Sequence, residues 1–418
     1  MNIQVNSEVE RLNAVLVHTP GVEMENMTPD SASDVLYDDI LSLPLASKEH
    51  VQLTGVLNQV AKVYELKDLL ADVLAMNSVK GALIERLTGL YGCPDYRDRL
   101  LEVPAKPLAA QLIEGTPKTI TTLERFLDPS PYVLPPLPNT FFTRDATMCL
   151  NNKVIIGSMA YRARVAESLL LKAIFTHHES VASQGFYFDG TSNTDSQVTI
   201  EGGDLLVLRE DLVVIGYSER TSVAAIDHLM KTIASQGPVR NFVVVEIPKS
   251  RATIHLDMLF TMVDFDACVV YPPIIKGAHM APAYHCVFDG SDAAKMQSVT
   301  EHPNVLSALQ SLGLDLEPIA CGGTERFHQE REQWASGANF FAFAPGQVMG
   351  YAHNVHTVET MSQAGFKVVS AKALINKEQT IGADERVLVS MDGAELSRGG
   401  GGCRCMTMPL ARGLGNGP

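Results

Sequence analysis

No stretch of this chain approaches 18 uninterrupted apolar residues, which excludes a membrane-spanning helix. It also lacks a basic excess: 33 Lys and Arg face 48 Asp and Glu, for a formal net charge of −15. That balance excludes nucleic acid and anionic membrane surfaces as partners. It is compatible with a small cationic substrate, although a plain acidic globular protein would carry the same charge. Charged residues are few, 19% against 46% hydrophobic, and that composition excludes disorder. The seven cysteines, at 93, 149, 268, 286, 321, 403 and 405, have no regular spacing and an odd count. They exclude a disulfide framework and fit reduced thiols in a cytoplasm. Residues 1–6 carry neither a basic nor an apolar signal region, so no secretion signal is expected. A chain of 418 residues is long enough for one large domain with an insertion, or for two to three domains.

The chain opens with a predicted strand at 13–18, stopped by Pro20-Gly21. Ser47 reads as the cap of a helix whose apolar face is Leu53, Val56, Leu57 and Val60. Residues 66–127 keep helical spacing with no strand pattern, and Thr116-Pro117 reads as the cap and first position of its last helix. A proline-rich stretch, 131–138, closes that block. Strands and helices then alternate, with predicted strands at 153–158, 204–208, 212–217, 241–246, 268–271, 340–344 and 366–370. Ser222 opens one helix that Gly237 ends, and His302-Pro303 opens another that Gly313 ends. The pattern is that of an α/β chain with a helical insertion. Glycine doublets beside strands at 202–203, 322–323 and 399–402 hint at a repeated β-α module.

Four clusters carry chemistry. Cys405 follows Gly399-Gly400-Gly401-Gly402-Cys403-Arg404, and a thiol after such a run implies a strained or closely approached backbone. His255 and Asp257, two apart, would share one face of a strand. Glu201-Gly202-Gly203-Asp204 precedes a strong strand and, alone, reads as a solvated loop. Asn139 through Asp145 mixes aromatic, polar and charged residues, with a strand bearing solvated acids as the competing reading. Cys403 and Cys405 are also open to two other readings, as a metal-binding pair or as inert buried thiols. The joint occurrence of all four clusters points to a cysteine-dependent catalytic site.

Taken in order along nearly the whole length, these motifs resemble those of the arginine deiminases, within the guanidino-group modifying enzymes. The resemblance runs through Val17-His18-Thr19-Pro20-Gly21-Val22-Glu23, Met27-Thr28-Pro29-Asp30, Leu36-Tyr37-Asp38-Asp39-Ile40 and residues 134–145. It continues through 201–204, Ser218-Glu219-Arg220-Thr221, 255–261, Glu330-Arg331-Glu332-Gln333-Trp334 and 405–409. It implies a five-fold pseudosymmetric α/β propeller, 1–65 with 131–418, and an inserted helical domain at 66–130. It implies deimination of L-arginine to L-citrulline and ammonia, with no metal or organic cofactor, in a cytoplasmic homo-oligomer. Cys405 would be the nucleophile and His255 the proton carrier. Glu201 would assist in proton handling and guanidinium binding, and Asp145 and Asp257 would each grip two guanidinium nitrogens. Arg164 and Arg220 would hold the α-carboxylate, with Asn139, Phe142 and Gly400 shaping the pocket. Three positions depart from the family pattern: Gly400 stands where some members carry arginine, Cys403 where a small residue is usual, and Gly322-Gly323-Thr324 lacks a following Asn. Hydrolysis of agmatine or methylarginine, dihydrolysis to ornithine, amidino transfer, and silent arginine binding are the alternatives. The two arginines favour a substrate with a carboxylate over agmatine.

The residue types suit that chemistry. A guanidinium is flat, with five N–H donors that match paired carboxylates. Fixing it between two acids aims its central carbon at the thiol. Attack, loss of ammonia and hydrolysis of the adduct then follow the two-step logic of covalent catalysis. Beside so many acids the thiol itself is expected to have a high pKa.

Overall fold

A computed structural model describes residues 1–121, 123–127, 130–193, 195–291 and 294–413. The tail at 414–418, expected to lack order, lies outside the described residues. Five of the sheets among the described residues contain the same three-strand unit. In each, an antiparallel pair leads, and one strand of that pair takes a parallel partner on its other edge. One unit is Thr147–Leu150, Lys153–Ile156 and Phe186–Asp189. The next is Leu205–Arg209, Leu212–Tyr217 and Asn241–Glu246. Phe260–Asp264, Ala267–Val270 and Glu317–Ala320 form the third. Phe341–Ala344, Gln347–Tyr351 and Val387–Met391 form the fourth. The last joins both ends of the chain: Met408–Arg412 runs antiparallel to Leu12–Val17, which pairs in parallel with Lys62–Glu65.

The middle strands are almost entirely buried, as in Leu212–Tyr217. Strands covered on both faces read as continuous apolar runs, which is why they are visible in the sequence. The helix Val223–Gln236 shows the complementary logic. Ser222 accepts from the Ala225 amide at 3.3 Å, and Ile226, Leu229, Met230 and Ile233 form one buried stripe. That stripe packs on Leu205, Val213, Ile215 and Phe242. Each such side chain contributes about 1.5–3 kcal/mol by leaving water.

Several expectations need correction. The first long helix is Leu43–Val60, with Ser42 before it and Pro44 in its first turn, so Ser47 is interior. Thr116–Pro117 is a short strand paired with Tyr132–Leu134, not a helix start. A residue before proline is pushed toward extended backbone, and Gly115, at φ +101°, has already turned the chain away. Asn304, not His302, caps the helix Val305–Ser311. His302 ends a strand, Met296–His302, that with Ala283–Phe288 extends one sheet to five strands. The glycine doublets do not mark equivalent places, because 322–323 follows the last strand of its unit. The repeat lies in the strand pairing.

Residues 66–114 form the helices Leu66–Leu74, Asn77–Tyr91, Arg97–Glu102 and Ala105–Glu114. Their apolar faces share one core with the helix Val165–His177, through Leu70, Val73, Ile84, Leu170 and Ile174. No helix among the described residues is long and apolar enough to cross a membrane.

Candidate active site

The turn that leads into the first strand of each unit supplies the site. Asp145 precedes Thr147–Leu150, and Glu201 and Asp204 precede Leu205–Arg209. His255 and Asp257 precede Phe260–Asp264. Asn339 precedes Phe341–Ala344, and Cys405 precedes Met408–Arg412. His255 and Asp257 therefore do not lie on one strand face. His255 is extended, and a short turn, Leu256–Met258, swings Asp257 toward the thiol.

Asp145 and Asp257 are built alike. Oδ2 of Asp145 accepts from Arg164 Nη1 at 2.6 Å, and Oδ2 of Asp257 accepts from Arg404 Nη1 at 2.9 Å. Their other oxygens, Oδ1 in both cases, are buried without a hydrogen-bond partner. The Cys405 sulfur lies 3.7 Å from Asp257 Oδ2, and His255 Nδ1 lies 3.8 Å from Asp145 Oδ1. The far imidazole nitrogen, Nε2, meets Glu201 Oε2 at 3.0 Å. Glu201 also accepts from Arg220 Nη1 at 3.3 Å and from the Ala160 amide at 3.1 Å.

These contacts set the protonation states. Burial alone would lower the His255 imidazole, but Asp145 and the Glu201 bond outweigh it and hold its pKa at about 9. Burial would raise Glu201, yet Arg220 and His255 bring it down to about 2. Burial, then Asp257 and Asp145, push the Cys405 thiol well above its ordinary value. Asp204, raised to about 6 by burial, accepts from Ser218 Oγ at 2.6 Å and from the Leu256 amide at 2.8 Å. The resting site thus holds a protonated thiol beside a protonated imidazole.

The glycines are there for close approach. A Cβ on Gly203 would sit 2.4 Å from His255 Nδ1, and one on Gly401 would sit 2.5 Å from the Phe142 ring. Of the 399–402 run only Gly400, at φ +89°, uses the left-handed region.

Cys405, His255, Asp145, Asn139, Phe142, Arg164, Arg220 and Gly400 line one pocket of about 30 Å³. Arg251, Ile254 and Gly400 also line an outer cavity of about 230 Å³, with Asp38, Asp39, Trp334 and Arg398. Glu201 and Asp257 stand behind the inner pocket, through His255 and Cys405. Arg164, expected at the carboxylate end, has a guanidinium already matched by Glu167, with Nη2–Oε2 at 2.8 Å, and by Asp145. Asn139 donates to the Val35 carbonyl at 2.7 Å.

Three residues that sequence reasoning missed complete the site. Arg404 is fully buried and bonds Glu8 twice, at 2.9 and 3.0 Å, besides Asp257. Burial would raise Glu8, but Arg404 and Arg144 hold its pKa at about 2. Asn339 Oδ1 accepts from the amides of Arg404 and Cys405, at 3.0 and 3.2 Å, and so holds the Cys405 turn. Arg404 was visible beside Cys405; nothing local marks Glu8 or Asn339. Gln333, in the Glu330–Trp334 motif, donates to the Ala252 carbonyl at 2.6 Å and braces the His255 turn.

One group among the described residues has the geometry to hold a metal: ligand atoms of Asp145, Glu201 and His255 lie within 4.8 Å of one another. Both acids already face arginines and the imidazole is held protonated, so the group is arranged for cations and proton transfer rather than coordination. Cys403 packs its sulfur 3.6 Å from Met391 Sδ.

The family model for arginine deiminase matches residues 108–412. The arginine deiminase of Latilactobacillus sakei subsp. sakei (strain 23K) is 33% identical over 427 residues, covering 98% of each chain. That of Bacillus cereus (strain B4264) is 33% identical over 430 residues, again covering 98% of each. The fold is shared with the N-terminal domain of ArgZ, a cyanobacterial arginine dihydrolase, at TM-score 0.53, 12% identity and coverage of 96% and 98%. It is shared equally with SxtG, an amidinotransferase from Microseira wollei, at TM-score 0.53, 11% identity and coverage of 99% and 98%. With the family model spanning most of the chain and such relatives spanning nearly all of it, the chain belongs to the arginine deiminase family of hydrolases.

Proposed function

We propose that the chain hydrolyses L-arginine to L-citrulline and ammonia through a covalent thiouronium on Cys405. The observation that carries this reading is the pair of carboxylates beside the thiol, each with one oxygen fixed by a buried arginine and the other buried without a partner. Buried acceptors left unpaired are costly, so they mark where a donor-rich cation docks.

The guanidinium lies between Asp145 and Asp257 and offsets the two charges that raise the thiol. Cys405 therefore loses its proton to solvent as substrate arrives. The thiolate bonds to the guanidinium carbon, and the bond from that carbon to one terminal nitrogen breaks. His255 gives that nitrogen its proton, and ammonia leaves the thiouronium behind. The neutral His255 then takes a proton from water, whose oxygen bonds to the same carbon. The C–S bond breaks, releasing the thiolate, and the new hydroxyl gives its proton to solvent to leave citrulline. Glu201 keeps the imidazole oriented and basic throughout. Arg164 and Arg404 act as positioning residues for the two aspartates, and Arg220 faces the carboxylate end.

The five like units are read as one five-fold α/β propeller, 1–65 with 131–418, whose leading turns converge on the pocket, with 66–130 as the inserted helical domain. Seven free thiols fit a cytoplasmic setting.

Incubation with L-arginine should yield citrulline and ammonia without ornithine. Cys405→Ala should abolish turnover, Cys403→Ala should keep most of it, and mass spectrometry of stalled enzyme should place the adduct on Cys405. An adduct on Cys403, or ornithine as product, would replace this reading.

A further inference from the structure

Three arginines line the inner pocket, and they differ in what they have left to offer a substrate. Arg164 is committed to Glu167 and Asp145. Arg220 gives one bond to Glu201 and stacks over Tyr161, while its Nε is buried without a partner. Arg251 stands where the inner pocket opens into the outer cavity, lining both. Its Nε and Nη2 grip a single carboxylate oxygen, Asp38 Oδ2, at 3.0 and 2.8 Å. Nη2 also donates to the Leu36 carbonyl at 2.7 Å. Arg251 is thus already holding a carboxylate at the mouth of the pocket.

We infer that Arg251, together with Arg220, binds the substrate's α-carboxylate, and that Asp38 occupies this place until substrate arrives. This rests on the reading of the site as one for free arginine. With the guanidinium at Cys405, the carboxylate end points out toward the junction that Arg251 occupies. A Cβ at Gly400 would be 4.0 Å from Arg251 Nη2, so position 400 leaves the arginine room to turn inward. Asp38 and Arg251 are both partly open to water, and such a pair is held weakly. One carboxylate can therefore replace the other without leaving a buried charge unpaired. Arg251 is a specificity residue in this assignment, acting on the part of the substrate remote from the chemistry.

The test measures KM and kcat for L-arginine, and the inhibition constant of agmatine, which lacks the carboxylate, in wild type, Arg251→Ala, Arg251→Lys and Asp38→Asn. Arg251→Ala should raise KM by about tenfold to a hundredfold, the loss of one charge-assisted bond, and lower kcat far less. Agmatine inhibition should barely change, Arg251→Lys should recover part of the loss, and Asp38→Asn should lower KM by up to about fivefold. Equal weakening of arginine and agmatine, an unchanged KM, or a raised KM in Asp38→Asn would overturn the assignment alone. Wild-type enzyme that makes no citrulline would overturn the reaction and this assignment together.

Discussion

The ion pairs Arg164–Asp145 and Arg404–Asp257 expose at most 6% of any side chain, whereas Arg251–Asp38 and Arg398–Asp39 at the rim expose 36–61%. All four join an arginine to an aspartate, so chemistry does not distinguish them. Solvent does. Two unit charges 4 Å apart attract by about 4 kcal/mol at an effective dielectric of 20 but only about 1 kcal/mol in water. The inner pairs therefore fix geometry, hold one carboxylate oxygen still and leave its twin buried without a hydrogen-bond partner. The rim pairs are screened and can exchange partners. A site that must grip a cation rigidly at one end and admit it at the other uses both kinds.

The strongest way to break that contrast is to neutralise an inner aspartate. Asp145→Asn or Asp257→Asn removes one of the two carboxylates that pair with a buried arginine, Glu167 or Glu8 remaining, and takes a buried negative charge out of the site, a change that costs about 3–5 kcal/mol. In kcat/KM that is roughly two to four decades, at about 1.4 kcal/mol per decade. Steady-state kinetics on folded variants, checked by circular dichroism, decide it. Near-normal kinetics in either variant would put that carboxylate outside the site.

How much of this was legible in the sequence follows the same division between local and distant causes. The strands Leu212–Tyr217 and Asn241–Glu246 begin and end where predicted, because the first is buried on both faces and the second carries the continuous apolar run Phe242-Val243-Val244-Val245. Met296–His302 escaped notice because nearly all of it is exposed on both faces, leaving no pattern to read. Cys405, His255 and Asp145 announce themselves through neighbouring glycines and mixed polar runs. Glu8 does not, since its bond to Arg404 spans 396 positions and arises only when the two chain ends share a sheet. Asn339 is hidden for a like reason, 66 positions from the amide it fixes. The glycine run was informative about approach more than strain, with one left-handed residue among four.

A smaller effect tests how the inner charges set protonation. His255 has its pKa raised to about 9, so its proton is fully held below the ordinary value near 6.5 and lost as pH rises through about 9. Turnover, which in the proposed mechanism uses that proton on the leaving nitrogen, should decline over the same alkaline range. The stability gained from the charged imidazole should decline there too. Glu201→Gln removes one anion and leaves only a neutral acceptor for Nε2. The alkaline limb of kcat/KM should then move down by about 1–3 pH units, the usual reach of one close opposite charge. An unmoved limb would assign the proton to another group.

The smallest effect is expected at the rim, where Asp39 meets Arg398 in the open. Asp39→Asn removes a pair with contacts as close as any in the interior, and proximity alone would make it costly. Exposure argues otherwise: water and salt already screen these charges, and the Debye length is about 10 Å at 0.1 M salt. Arg398 also keeps Glu395 and the Ile40 carbonyl as partners, so it is not stranded. The variant should change kcat/KM by less than about twofold, with any residue of the effect fading as salt is raised. Kinetics at low and high ionic strength provide the check. A loss comparable to that of Asp145→Asn, and insensitive to salt, would mean that the rim is closed to solvent during turnover, and the two kinds of pair would then differ only in the resting enzyme.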